Sequence, residues 1–317
     1  MKKVIIFAPM VCLVLYCILA FLTPMVPMLS FLCALFLVLT GVFSIFRNSK
    51  ISLAVYNIVA IAVTCIVNKE IVFSIVYAMS YIGAGFWLCY SLLRRKGGVH
   101  AIIVTLICVI LADYGSVVLN DVFHGKQPFA FIDEMFALLK PNMVEAIGLS
   151  RGIFNLEDAE EIFNLYEMTV RMILPSVIII VGLIKTIILT FLTKVIANRV
   201  LKGPAIDLRF SMFKADGVTV FVFFLSAIIS MLAGDSVIAV VFSNLYAILN
   251  IVLVLCGMSL LDWYLREKQK VKIFFRFLIL LFVGIISLIP ILSVVLVVVA
   301  LMDVRKNFRN IGTDTIG

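Results

Sequence analysis

Apolar residues run almost unbroken through this chain, and the polar interruptions between runs are short. A helix needs roughly 20 apolar residues to cross a hydrocarbon core, and runs of about that length recur. Residues 4–22 end at the Pro24/Pro27 turn, 29–46 at Arg47, 51–67 at Asn68-Lys69-Glu70, and 71–93 at Arg94-Arg95-Lys96. Residues 99–119 lead into a long polar stretch, 120–171; then come 172–197, 218–233, 237–264 and a final run over 274–302. The pattern predicts an all-α polytopic transmembrane helix bundle. It also predicts three parts: a five-helix membrane module over 1–119, an extracytoplasmic amphipathic helical loop over 120–171, and a second membrane module over 172–317.

The final run is long for one span and carries Pro290 at its middle. Proline breaks a helix interior, so the run divides into two short helices near 274–288 and 291–302. These form a Pro-kinked C-terminal hairpin after eight full spans; one long kinked span is the other reading. The run at 4–22 has no small-x-small cleavage pattern after it, so it reads as a first span and not as a removed signal.

Charge sets the orientation. Alternating the spans from a cytoplasmic N-terminus puts 20 of the 26 lysines and arginines on the cytoplasmic side. Basic residues favour that side, so both termini are expected in the cytoplasm and the acidic stretch 120–171 outside. Within it, Phe131, Ile132, Met135, Phe136, Leu138 and Leu139 crowd one helical face, and Pro141 is expected to stop that helix. Asn155 with Asp158 resembles a cap for a second helix that continues into the next span. The pair reads either as helices lying at the membrane interface or as a lid over an outward cavity.

Composition agrees and excludes much. Hydrophobic residues make up 64% of the chain and charged ones 14%, with a mean hydropathy of +1.23. No phosphate-binding glycine loop, HExxH or GxSxG occurs, so no enzyme is expected. Seven cysteines lie scattered in apolar runs without a CxxC, which argues against disulfides, metal and cofactors alike. The net charge of +8 fits a basic inner surface meeting anionic lipids of the bilayer, with no soluble basic domain for nucleic acid.

Charges inside spans are costly and mark candidate sites. Asp113, followed by Tyr114, is either a carboxylate solvated at the rim or a ligand contact. Lys185 either snorkels towards the cytoplasm or pairs with an acid or an anionic ligand inside the bundle. The fourth span sets Tyr77 and Tyr81 among Ser74, Ala78, Gly83 and Gly85. This composition suits close helix packing or the wall of a pocket. Asn244 lies in the outer half of the eighth span, where interhelical hydrogen bonding is the simpler reading. Tyr77, Tyr81, Asp113, Tyr114 and Asn244 are the candidate contacts for a small-molecule ligand.

Short motifs in the second half resemble a known family. They are Leu174-Pro175-Ser176, Leu192-Thr193-Lys194, Asn244-Leu245-Tyr246, Cys256-Gly257-Met258-Ser259, Leu208-Arg209-Phe210-Ser211-Met212-Phe213, and the ending Asp303-Val304-Arg305-Lys306-Asn307-Phe308-Arg309. Together they resemble the YybS-like family of bacterial multi-pass membrane proteins, whose function is unknown. In that family the N-terminal half is similar to the S-components of energy-coupling-factor importers. Those are helical bundles that bind a ligand near the outer face and are moved by an ATPase-driven partner. The resemblance therefore implies a cell-membrane protein with a transport role, a ligand and an energy-coupling ATPase or other membrane-protein partner. A membrane scaffold of the cell envelope is the rival expectation.

Overall fold

The computed structural model describes residues 2–26, 28–47, 50–93, 98–151, 156–200, 210–234, 236–287 and 289–309. Among these residues every regular element is helical. Four helices are long and apolar enough to cross a membrane: Ile71–Ser91, Ala101–Phe123, Asp158–Val200 and Val237–Glu267. Shorter apolar helices cover Phe7–Leu22, Leu29–Ile45, Leu53–Asn68, Gly217–Leu232 and Ile273–Ile286. The chain separates into two compact units. One comprises Met1–Met172 with Val181–Asp207, the other Ile173–Ile180 with Leu208–Gly317. The expected Asn155 cap, the Arg94-Arg95-Lys96 run, Lys202 and Arg209 lie outside the described residues.

In the first unit the helices are α1 (Lys2–Leu22), α2 (Leu29–Arg47), α3 (Lys50–Asn68), α4 (Ile71–Leu93) and α5 (Gly98–Ile110). A π-helical turn, Leu111–Gly115, joins α5 to α6 (Ser116–Phe123) without breaking the rod. Helix α2 packs on α1 and α4, and α4 packs in turn on α3 and α5. Ala34, Leu37, Val38 and Leu39 of α2 are fully buried. The small residues noted in the fourth span explain how closely α2 and α4 meet. A Cβ at Gly85 would overlap the Val38 carbonyl, and one at Gly41 would overlap the Ile82 carbonyl and come within 2.8 Å of the Phe86 nitrogen.

The polar stretch forms α7 (Ala130–Arg151) and the start of α8 (Leu156–Val200), a continuous helix of 45 residues. One expectation fails here. Pro141 does not stop its helix, because α7 runs through it. Proline costs its helix one hydrogen bond, to the carbonyl four residues back. Ala137 and Pro141 both lie on the exposed face of α7, so solvent can take that bond. The continuation of the second polar helix into the next span is observed.

The second unit contains a 3-10 turn (Phe210–Met212), α9 (Gly217–Leu232), α10 (Val237–Glu267), α11 (Ile273–Ile286) and α12 (Pro290–Lys306). Helix α10 is its hub, with α9, α11 and α12 packed against it. Phe223, Leu253, Val254, Cys256, Leu296, Val297 and Ala300 form the core. Side-chain caps start two helices. Asp216 accepts from the Thr219 amide at 2.8 Å and from its hydroxyl at 2.6 Å, while Ser236 accepts from the Ala239 amide. The final apolar run breaks where Pro290 predicts, and the break bonds to itself: Ser287 N to Val283 O at 2.8 Å, Ile289 N to Ile286 O at 2.9 Å.

Candidate functional site

Antiparallel helices joined by short turns gather four helix ends in one place. The C-terminal ends of α1 and α3 meet the N-terminal ends of α2 and α4 around a cavity of about 170 Å³. Tyr16, Ala20, Thr23, Ser30, Cys33, Thr64, Val67, Asn68, Phe73 and Tyr77 line it. Its walls are ordered. Tyr16 and Thr64 share a short hydrogen bond between α1 and α3. Asn68 Nδ2 donates to the Thr64 carbonyl at 3.1 Å, and Phe73 stacks on Tyr77 with ring centroids 5.4 Å apart.

Behind Tyr77 lies an ion pair. Tyr77 meets Tyr81 edge-on at 5.0 Å, and the Tyr81 hydroxyl donates to Asp113 Oδ1 at 2.5 Å. Lys185 of α8 donates to both carboxylate oxygens of Asp113, at 2.8 and 2.6 Å, and its ammonium lies 5.1 Å from the Tyr81 ring centroid. The Lys185 and Asp113 side chains keep 20% and 22% of their exposure. These two charges answer each other, so neither the rim-solvated Asp113 nor the snorkelling Lys185 is what the structure has. The carboxylate and the ammonium meet between α8 and the end of α5, where pairing offsets part of the cost of leaving water. Asp113 and Tyr114 sit together on the π-helical turn. Such turns are rare and recur at functional sites, because the extra residue re-aims the side chains around it.

A second polar group ties α6 to α4. Asn120 Nδ2 donates to Glu70 Oε2 at 2.8 Å, and His124 Nδ1 lies 2.8 Å from the Asn120 carbonyl. Nearby, Lys126 pairs with Glu134 at 2.9 Å, and that carboxylate raises the lysine above its usual range. On α7 and α8, Arg171 bridges Asp133 and Glu167, both at 2.6 Å, and its guanidinium lies 5.4 Å from the Phe136 ring centroid. Among the described residues no group of three or more His, Cys, Asp or Glu side chains could hold a metal ion.

The last candidate, Asn244, belongs to the second unit. Its Oδ1 accepts from the Ser176 amide at 3.0 Å and its Nδ2 donates to the Val240 carbonyl at 2.9 Å. Three of the sequence motifs of the second half converge elsewhere, on Arg309. Its Nε and Nη2 donate to Asp303 Oδ2 at 3.0 and 2.7 Å. Nη1 donates to the Ser211 carbonyl at 2.6 Å and Ser259 Oγ at 2.7 Å, and Nη2 also reaches the Phe213 carbonyl at 2.8 Å. Sequence reasoning quoted Asp303, Ser259 and Arg309 but not their meeting. An arginine six residues after an aspartate, beside an aromatic, was the available signal.

Helical throughout its described residues, with several apolar helices of spanning length, the chain is a multi-pass α-helical membrane protein. It belongs to the family described as "Predicted membrane protein (DUF2232)", which matches residues 14–304. No curated protein and no solved structure matches it.

Proposed function

We propose that this is a non-enzymatic small-molecule binding or transport component whose first unit opens a pocket to the outside of the cell membrane. The observation that carries the reading is the cavity bounded by Tyr16, Thr64, Asn68 and Tyr77, with the Asp113–Lys185 pair behind it. In this reading eight full spans precede a C-terminal hairpin formed by α11 and α12, and both termini are cytoplasmic. The excess of lysine and arginine on one side supports that orientation, and it puts the cavity mouth outside.

The cavity's size limits its occupant. At about 170 Å³ it is smaller than the roughly 300–1,000 Å³ of drug-sized pockets and matches about six water volumes. Hydroxyls, an amide and three aromatic rings suit a compact, largely uncharged polar solute. Tyr77 contacts that solute, while Tyr81, Asp113 and Tyr114 hold the wall behind it. For Asn244 to make a ligand contact, its Oδ1 would have to release the Ser176 amide. Likeness to the YybS-like proteins, and through them to S-components, supports the same use, with an energy-coupling partner in the membrane.

The test is a screen of compact polar metabolites against the purified full-length protein by thermal shift and native mass spectrometry. A true ligand should lose at least about tenfold in affinity, roughly 1.4 kcal/mol, in both Tyr77→Ala and Asn68→Ala. Undiminished affinity in both variants sinks the assignment. The rival, a membrane scaffold, is favoured by one observation: Leu138 on α7 is a large apolar side chain left 78% exposed. Crosslinking that recovers a protein at Leu138, with no ligand in the screen, would decide for it.

A further inference from the structure

An apolar cleft lies towards the other end of α1 from the cavity described above. It holds about 530 Å³ and runs between the first half of α1, the second half of α2 and the last turns of α8. No side chain lining it carries an oxygen or a nitrogen. Leu39 and Phe43 of α2 form its deep side and are almost fully buried, while Phe7 and Val11 of α1 stand more than half exposed at its rim. Ile196 and Val200 of α8 close the far side. Along α1 the lining reaches from Phe7 to Leu15, about 12 Å at the rise of a helix. One leaflet of a bilayer's hydrocarbon core is roughly 15 Å deep.

Charge at that end is one-sided. No Asp or Glu occurs in residues 1–69 or in residues 172–206. Helix α1 begins at Lys2 with Lys3 next, α2 ends at Arg47, and Arg199 stands in the last turn of α8. Arg199 follows Ile196 by three residues, on the same face of the helix. It is exposed, and among the described residues it has no acid partner. A slot without polar atoms gives water nothing to bond to. Inside a bilayer, lipid tails are as apolar as the side chains, so hydrocarbon alone gives a chain no reason to prefer one surface. Preference has to come from the shape of the slot and from the charge at its end.

We propose that this cleft holds one acyl chain of an anionic phospholipid, with the lipid phosphate against Arg199. The lipid belongs to the leaflet on the side where α1 begins. Its chain fills the gap that the side chains of α1, α2 and α8 leave, and so ties the end of α8 to the other two helices. A guanidinium suits the headgroup because its planar fork can meet two phosphate oxygens at once. The cleft shares no residue with the cavity at the far end of α1, so the pocket reading and the lipid site stand or fall separately.

The test uses the full-length protein, delipidated in detergent and titrated with phosphatidylglycerol under native mass spectrometry. One phosphatidylglycerol should bind at least about tenfold more tightly than phosphatidylcholine with the same chains. Val11→Trp fills the slot from its exposed rim, and Arg199→Glu reverses the charge at its end. Each should weaken phosphatidylglycerol at least about tenfold, while Ile18→Trp, on an exposed face of α1 outside the cleft, should leave it within about twofold. Where either of the first two variants fails to fold, Val11→Phe or Arg199→Gln at the same position should weaken binding in the same direction. Equal affinity for the two lipids overturns the proposal. So does unchanged binding in the Val11 or the Arg199 variants, or an equal loss in Ile18→Trp. A protein dimer that Val11→Trp dissociates would also overturn it, and would assign the cleft to a second copy of the chain.

Discussion

Two aspartate–base pairs, Asp303–Arg309 in the second unit and Asp113–Lys185 in the first, are built on opposite plans. Asp303 and Arg309 keep 1% exposure each, and all five guanidinium N–H groups are engaged: by Asp303 twice, Ser259 once, and the Ser211 and Phe213 carbonyls. No guanidinium N–H is left over for a ligand, although the buried Asp303 Oδ1 has no hydrogen-bond partner among the described residues. Asp113 and Lys185 remain about a fifth exposed, sit on a π-helical turn, and are joined by a single further donor, the Tyr81 hydroxyl. With every guanidinium N–H engaged, Arg309 is a rivet between the Phe210–Phe213 segment, α10 and the chain's C-terminal side. Among the described residues Lys185 donates hydrogen bonds to the Asp113 carboxylate alone, and a base so held can change partners. What separates the two pairs is how fully the base is held by groups other than its carboxylate.

The largest expected effect breaks the rivet. Arg309→Ala strands the Asp303 carboxylate and two backbone carbonyls, at a cost of about 3–5 kcal/mol, readable as a lowered melting temperature in detergent. Arg309→Lys should not restore it, because an ammonium cannot reproduce the planar fork of five donors. A paired replacement sharpens the contrast. Asp113→Asn with Lys185→Met removes both charges of the looser pair, and its stability should return to within about 1.5 kcal/mol of wild type. Asp303→Asn with Arg309→Met should stay at least about 2 kcal/mol below it, since the Ser211 and Phe213 carbonyls remain unanswered. Equal recovery in both double variants would erase the distinction.

The smallest effect lies at the edge of the riveted segment. Thr219, first through its hydroxyl and then through its amide, holds the Asp216 carboxyl below the usual carboxylate range. A depressed folded value means the cap's contribution is complete above the unfolded value and disappears as the pH falls through the folded one. Asp216→Ala should therefore cost about 1 kcal/mol near neutrality and progressively less in acid, followed as pH-dependent melting.

Much of the architecture was legible in the sequence. Apolar runs of spanning length define the helices, because a helix satisfies its backbone within its own segment in hydrocarbon, and Pro290 marked the break between α11 and α12 correctly. Gly85 and its small neighbours announced a close helix approach. What escaped was long-range. The partners in the Asp113–Lys185 pair are 72 residues apart, and their meeting depends on the register of α8 along α5. The π-helical turn depends on packing and has no residue signature. At Pro141 a local rule lost to surface exposure of the helix, and two of the four Arg309 acceptor atoms are main-chain carbonyls, which no side-chain pattern reveals.

The crossing of α2 and α4 has a mechanical meaning. With the Gly41 and Gly85 main chains set against their neighbours' carbonyls, neither rod can slide or roll on the other without steric collision. They form the stiff spine of the first unit. Beside that spine, α1 and α3 are latched to each other by the hydroxyls of Tyr16 and Thr64.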